Sequence, residues 1–436
     1  MGTTLAGFGQ IKNKCPYPRF FCCFGQGSVQ YESPMTFFIL GHQPTISVAE
    51  ISKVLRINLS QAQGNEEVLM IDEDLPHLPN LQSSLGGTIK MGWTIQEMDT
   101  WDEEKLADII VAYASNSFGK DKITFGISLY DLHGKKIYAD KMKALERLGL
   151  TVKKALKETG RPVRFVSSKE PALSSVIVET NHLLSSGGEF VLFLDGSRIL
   201  IGQTQSVQDF AAWSDRDYSR PARDAKSGML PPKLARIMIN LAGKDLSKST
   251  LLDPFCGSGT ILMEAALMRC HKLIGSDISG KAIQDTKRNI TWLSKNYLGQ
   301  EPNYTLIETS AEDLSKSFKK SVDLIVTETY LGPPQKGRES FSELKQSLVE
   351  IEDMLTVSLA SLKTLMKKDG VMILACPVYH AREEWMFLPL QKIARSSGWS
   401  IRPFSDALEP LSPCGGLVYE RPGQKVGREI VEMRPL

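Results

Sequence analysis

No run of about 18 apolar residues occurs anywhere in the 436 residues, so the sequence offers no membrane-spanning helix. Cysteine is sparse and poorly spaced. The seven cysteines (Cys15, Cys22, Cys23, Cys256, Cys270, Cys376 and Cys414) contain no Cys-x-x-Cys and leave an odd one over. That argues against a disulfide framework or a zinc site and fits a reducing, cytoplasmic setting. The six histidines are scattered, none at ligand-pair spacing, so no metal is expected. The net charge of +2 is too small to steer the whole protein toward nucleic acid, so any such contact must come from local patches. Internal repeats and low-complexity tracts are also missing. With 42% apolar and 23% charged residues, the chain has enough material for two or three domains with their own cores.

Residues 1–34 mix Gly, Pro, Cys and aromatics without period and read as a disordered extension. They lack the continuous apolar core of a signal peptide. Met35-Thr36-Phe37-Phe38-Ile39-Leu40 opens directly as a strand, as if translation began there. Ser47 with Glu50 three residues on reads as a helix-capping box, so a strand–helix–strand module is expected in 35–100, within a first module spanning 35–120. Within 121–207 strands are expected at Ile123–Leu129, Pro162–Val166, Ser175–Thr180, Glu189–Leu194 and Arg198–Gln205. A helix from Lys141 to Thr159 lies between the first two, with turns at Gly187-Gly188 and Asp195-Gly196. From Gly134 to Pro171, eleven basic residues face four acidic ones. Such a segment is either a solvated helix face or a phosphate-contacting face, with Lys135, Lys136, Lys153, Lys154 and Lys157 as the candidates. Residues 208–247 form a linker and a helix leading into 248–436, where strands and helices alternate.

The most specific stretch is Leu251-Leu252-Asp253-Pro254-Phe255-Cys256-Gly257-Ser258-Gly259-Thr260, a buried strand, a glycine loop and a helix start. A second strand follows and ends on Asp277. This is the ligand end of a doubly wound α/β sheet. The loop is not Gly-x-Gly-x-x-Gly, so no pyrophosphate needs cradling. It resembles the S-adenosylmethionine loop of amino-group methyltransferases. The resemblance implies that Gly257 and Gly259 let the backbone approach the methionine part. Asp253 would accept from its ammonium and Asp277 from the ribose hydroxyls. Further cofactor contacts are expected at Phe255, Cys256, Thr260, Ile278, Glu312 and Asp313, the last facing adenine or starting a helix.

Upstream, Trp213-Ser214-Asp215-Arg216-Asp217-Tyr218-Ser219-Arg220-Pro221-Ala222-Arg223 and Met229-Leu230-Pro231-Pro232-Lys233-Leu234-Ala235 resemble the segment entering the catalytic domain of THUMP-containing tRNA guanine-N2 methyltransferases. The likeness is strongest over 213–277 and looser over 35–207. It implies a Rossmann-like seven-stranded methyltransferase domain preceded by an α+β ferredoxin-like and THUMP RNA-binding region. It also implies tRNA as partner, with Arg220, Arg223 and Lys233 near the RNA, and N2 of guanosine 10 as the target. Some relatives of this kind need a small activator subunit. The departure lies after the fourth strand. Where the family usually has Asp-Pro-Pro-Tyr-Gly, this chain has Thr327-Glu328-Thr329-Tyr330-Leu331-Gly332-Pro333-Pro334. Glu328 takes the acid's place as acceptor from the target amine, and Tyr330 stacks on the flipped base. Three readings stay open here: a working guanine enzyme, the same fold acting on another amino group (adenine N6, cytosine N4 or protein glutamine), and an RNA-binding paralogue without amine chemistry. Cys376 reads as a buried structural thiol rather than a nucleophile.

Overall fold

A computed structural model describes residues 34–436 except 60–61, 120, 224–228, 336, 382–383, 406–407, 409–410 and 422. The reading of residues 1–33 as an extension lies outside the described residues. The first half runs β1 (Thr36–Leu40), α1 (Pro44–Leu55), β2 (Gln63–Gly64), β3 (Val68–Ile71), α2 (Leu78–Ser84), β4 (Thr88–Met98) and α3 (Glu103–Ser117). It continues through β5 (Ile123–Asp131), α4 (Ala139–Glu158), β6 (Val163–Val166), α5 (Ser175–Thr180), β7 (Gly187–Asp195) and β8 (Arg198–Val207). Its eight strands form one sheet in the order β2-β3-β1-β4-β8-β7-β5-β6. The boundary expected at residue 120 falls inside this sheet, because β4 from the first segment pairs with β8 from the second.

Three local expectations are corrected. α1 starts at Pro44 after Gln43, and Ser47 sits inside it, donating to the carbonyls of Gln43 and Gly87, each at 2.9 Å. Proline at the first position set the start, and Glu50 turns inward rather than back to a cap. Ser175–Thr180 is helix, although its run of β-branched residues favours a strand. The Ser174 hydroxyl accepts from the amide of Ile177 and caps the turn. Gly187-Gly188 opens β7 rather than a turn; a Cβ at Gly187 would run into the Thr124 carbonyl of the neighbouring β5. The Asp195-Gly196 turn closes the β7–β8 hairpin as expected, with Gly196 at φ 67°.

Two connecting helices follow, α6 (Phe210–Tyr218) and α7 (Pro232–Leu241). The second half then runs β9 (Thr250–Asp253), α8 (Thr260–Leu267), β10 (Lys272–Asp277), α9 (Gly280–Leu293), β11 (Tyr304–Glu308), α10 (Leu314–Ser317), β12 (Val322–Glu328) and α11 (Phe341–Lys363). It ends with β13 (Met366–Ala381), β14 (Glu384–Met386), α12 (Leu390–Ser396), β15 (Trp399–Arg402), β16 (Leu417–Tyr419) and β17 (Val426–Pro435). The sheet order is β11-β10-β9-β12-β13-β17-β15, with β14 and β16 as side strands. Nine strands therefore stand where seven were expected. β16 is a short side strand, and β17 runs antiparallel between β13 and β15. The five strands β11, β10, β9, β12 and β13 pair with one another in parallel, and the order reverses between β9 and β12. Such a switch point is where open α/β sheets bind ligands.

The halves share packing. Ile46 and Ala49 of α1 belong to the same buried cluster as Leu234, Ile237 and Met238 of α7 and Leu251 of β9. Glu50 accepts from the amides of Gly86 and Gly87 at 2.8 Å and from Asn240 Nδ2 at 2.6 Å. Arg236 donates to the Ser83 carbonyl at 2.8 Å, and Lys53 pairs with Glu432 at 2.7 Å. Among the described residues no helix is long and apolar enough to cross a membrane.

Candidate active site

Asp253, Asp277 and Glu328 stand at the carboxyl ends of β9, β10 and β12, on both sides of the switch point. Between the first two runs the glycine loop. Gly257 has φ 52° with nothing within 4 Å of where a Cβ would stand, so its backbone lies open to a ligand. Gly259 has φ 84°, and a Cβ there would sit 2.8 Å from the Thr286 methyl. The loop is tied down from α9: Thr286 Oγ1 donates to the Gly257 carbonyl and Asn289 Nδ2 to the Ser258 carbonyl, both at 2.8 Å. Asp277 accepts from the Gly257 amide at 3.0 Å and the Ser279 amide at 2.9 Å. Phe255 follows in the loop, its amide 3.3 Å from Asp253 Oδ1. Cys256 is buried against Thr286, and burial holds its thiol well above the usual range, so its side chain packs rather than reacts. Ile278, 75% exposed, offers an apolar surface beside Asp277.

Asp253 is fully buried and accepts from Thr327 Oγ1 at 2.7 Å. Burial pushes its carboxyl up to about 7; Thr327 and the Phe255 amide oppose the shift, and the neighbouring charges of Asp277 and Glu328 add to it. The result is a cluster of acids that a cation would relieve.

The segment leading into the domain parts its two arginines. Arg220 is buried and donates to Thr260 Oγ1 at 2.6 Å, at the start of α8, and lies 3.1 Å from Met229 Sδ. Its Nε has no hydrogen-bond partner among the described residues. Burial pulls the pKa of this guanidinium below its ordinary value. Arg223 is exposed and lies 5.1 Å over the Tyr218 ring. Lys233 is half-buried and donates to Gln208 Oε1 at 2.5 Å; burial, then Arg216 and Arg421, lower its pKa. Sequence reasoning missed the buried arrangement beside it. Arg216 and Arg236 both clamp Glu264 of α8, at 2.8 and 2.7 Å, with Arg216 over the Trp213 ring at 4.2 Å. Only the density of arginines around Trp213 hinted at it.

On the other side of the switch, Glu328 meets a residue the sequence did not nominate. Arg428 of β17 donates through Nε to Glu328 Oε1 at 2.6 Å, and both side chains are largely shielded from solvent. Burial raises the carboxyl of Glu328, and Arg428 opposes the rise. Tyr330 is 57% exposed, its ring free for an incoming planar group. The loop carrying it is anchored: the Thr329 amide donates to the Ala375 carbonyl at 2.9 Å and the Tyr379 hydroxyl to the Leu331 carbonyl at 3.0 Å. Cys376 is buried on β13 with its thiol held well above the usual range, as a packing residue should be. Glu312 and Asp313 are exposed, and Asp313 spends one oxygen on Lys316 at 2.6 Å. Lys135, Lys136, Lys154 and Lys157 are exposed and Lys153 half-buried, all on or just before α4 in the first half.

The sheet order, the glycine loop and the acid at each strand end define a Rossmann-like methyltransferase domain. Residues 220–377 match the RMKL-like methyltransferase domain family. A probable tRNA (guanine(10)-N2)-dimethyltransferase from Methanothermococcus thermolithotrophicus is 32% identical over 148 residues, 33% of this chain and 78% of that protein. A tRNA (guanine(10)-N2)-dimethyltransferase from Methanothermobacter thermautotrophicus is 37% identical over 105 residues, 24% of this chain and 28% of that protein. The match thus spans less than a third of the latter relative's length. The crystal structure of TrmN from Thermus thermophilus superposes with TM-score 0.54 at 16% identity, covering 92% of this chain and 100% of that one, and so shares the fold. The chain belongs to the family of the tRNA (guanine(10)-N2)-dimethyltransferases.

Proposed function

We propose that this chain is an S-adenosylmethionine-dependent tRNA methyltransferase acting on the exocyclic N2 amine of a guanosine, guanosine 10 by its relatives' names. One observation carries the reading: a carboxylate, Glu328, stands across the switch point from a glycine loop and two further strand-end acids. The cofactor fits the residues present. Asp253 with its like-charged neighbours suits an ammonium or sulfonium, Asp277 a diol, and Ile278 an adenine face. The unpartnered Nε of Arg220, beside Thr260, suits the cofactor's carboxylate. When bound, S-adenosylmethionine supplies an electrophilic methyl group.

The chain's own residues then have separate tasks. Tyr330 stacks on a base taken out of its helix. Glu328 accepts a hydrogen bond from the amine, which turns the nitrogen lone pair toward the methyl donor. An amine that has taken a methyl group carries one proton too many, and Glu328 would take that proton before passing it to water. We also propose that 35–207 combines a ferredoxin-like module, 35–120, and a THUMP-like domain, 121–207, that share one sheet. It would grip tRNA by shape and phosphate through Lys135, Lys136, Lys153, Lys154 and Lys157, with Arg223 and Lys233 nearer the catalytic domain.

The test uses the full chain, methyl-labelled S-adenosylmethionine and unmodified tRNA transcript, with nucleosides identified by mass spectrometry. Labelled N2-methylguanosine is expected. Glu328→Ala should lower kcat about 100-fold, the order associated with one misplaced catalytic contact, while the variant still binds cofactor. Label in N6-methyladenosine, N4-methylcytidine or protein glutamine would move the acceptor. Cofactor binding without any transfer would favour the RNA-binding paralogue.

A further inference from the structure

The acid that this chain presents to its acceptor is longer by one methylene than the family's aspartate, and the two prolines that usually follow it come late. A longer side chain has one more rotatable bond and so needs something to fix it. β17 supplies it. Residue 428 is gripped on both sides, opposite Pro377 of β13 and opposite Tyr419 of β16. The guanidinium lies 5.9 Å from the Tyr419 ring, whose hydroxyl accepts from Arg421 Nε at 2.6 Å. Its Nε meets Glu328 Oε1 at 2.6 Å, while Oε2 takes no part in that bond.

We propose that Arg428 is a positioning residue for methyl transfer: it holds one oxygen of Glu328 so that the other is presented to the substrate amine, a Glu–Arg pair doing here what a short aspartate and its prolines do in relatives. The inference rests on the amine-acceptor reading above. The pair also favours the charged form of the buried acid, against the burial that raises it. Asp253 on β9 feels Glu328 and Asp277 on β10 as like charges. Cys376 on β13 is a buried thiol, Tyr330 lies two residues on, and Glu429, next on β17, turns away to Cys414 Sγ at 2.9 Å. Arg428 is the cation in contact with Glu328 in that company.

Arg428→Met, Arg428→Lys and Glu328→Asp in the full chain separate this role from simple support. The Met variant should lose about 10- to 100-fold in kcat, with KM for tRNA and cofactor affinity within about threefold of wild type, as expected for a displaced catalytic group. Its activity should also require a higher pH, because Glu328 loses the charge that favours its ionised form. The Lys variant should recover part of both changes. The Asp variant, too short to reach Arg428, should be impaired like Met. A Met variant with wild-type kcat and pH limb, or one faster than wild type, would overturn the proposal; the faster enzyme would mean that the pair restrains the acid. Should the Met variant fail to fold, the Lys and Asp variants decide in the same way. Carboxyl NMR with labelled glutamate needs no turnover. If wild type transfers no methyl group, the acceptor reading fails. The role in transfer falls with it, and the remaining claim, that Arg428 holds Glu328, stands if Glu328 titrates at higher pH in the Lys variant than in wild type and falls if its titration is unchanged.

Discussion

Two carboxyl groups, Glu50 and Asp253, are buried completely and both pushed up to about 7, yet they sit in opposite kinds of surroundings. Glu50 lies at the joint between the halves and is satisfied by three neutral donors, two amides and Asn240. Burial alone raises it, and every neighbour named as acting on it pulls the other way. Asp253 has fewer donors, and its other neighbours, Asp277 and Glu328, are acids that push in the same direction as burial. The similarity in pKa therefore hides the difference that matters. A structural acid is complete in the folded chain, whereas a binding acid is incomplete until a cation arrives.

The contrast breaks most sharply under truncation. Glu50→Ala should cost about 3 kcal/mol of stability, since two amides and a side-chain amide at the joint lose their acceptor, while cofactor affinity of the folded protein stays put. Asp253→Ala should do the reverse, weakening cofactor binding about 100-fold, or ~2.7 kcal/mol, at little cost in stability. Denaturant titration and calorimetry on both variants read the two quantities; equal effects of both substitutions on both would erase the distinction.

pH gives the next largest effect. The folded Glu50 keeps its proton up to about 7, while in the unfolded chain it ionises near its ordinary value of 4.5. Between those values the unfolded state binds fewer protons, so stability falls as pH rises, by on the order of 3 kcal/mol across the window. Asp253 acts with the same sign, from its ordinary 3.8 to about 7. Saturating cofactor should cancel the Asp253 share, because a cation beside it favours the ionised form, and leave the Glu50 share intact. Denaturant midpoints from pH 4 to 8, with and without S-adenosylmethionine and in Glu50→Gln, measure each share. A pH dependence that cofactor leaves wholly unchanged would count against Asp253 as the cation's partner.

The smallest effect concerns the first half alone. Changing Lys153, Lys154 and Lys157 to Gln should flatten the salt dependence of tRNA binding by roughly one unit of log–log slope or less per lost phosphate contact, without altering cofactor affinity. An unchanged slope would place the RNA face elsewhere.

What was legible in the sequence was local. Asp253, the glycine loop and Asp277 lie within one short strand–loop–helix–strand stretch, and each residue type is dictated by the backbone or ligand at its own position. The parallel α/β class followed from alternation, because parallel strands need crossovers. What stayed hidden was carried by partners far along the chain. Arg428 meets Glu328 a hundred residues away. Glu50 finds Gly86, Gly87 and Asn240 on three other segments, so its spacing from Ser47 looked like a cap. Arg220 is expected beside the RNA with Arg223, and only the fold shows that it is buried and bonded to Thr260 at the start of α8. Ser175–Thr180 shows the same limit in miniature, with one capping hydroxyl outweighing a β-branched run.

The central claim is that the Glu328 pocket delivers a methyl group to the N2 amine of a tRNA guanosine. The most direct test compares two tRNA transcripts that differ by one group, guanosine or inosine at position 10, inosine lacking only the exocyclic amine. Single-turnover methylation should label the guanosine tRNA at that nucleotide and leave the inosine tRNA unlabelled; equal labelling of both would contradict the claim.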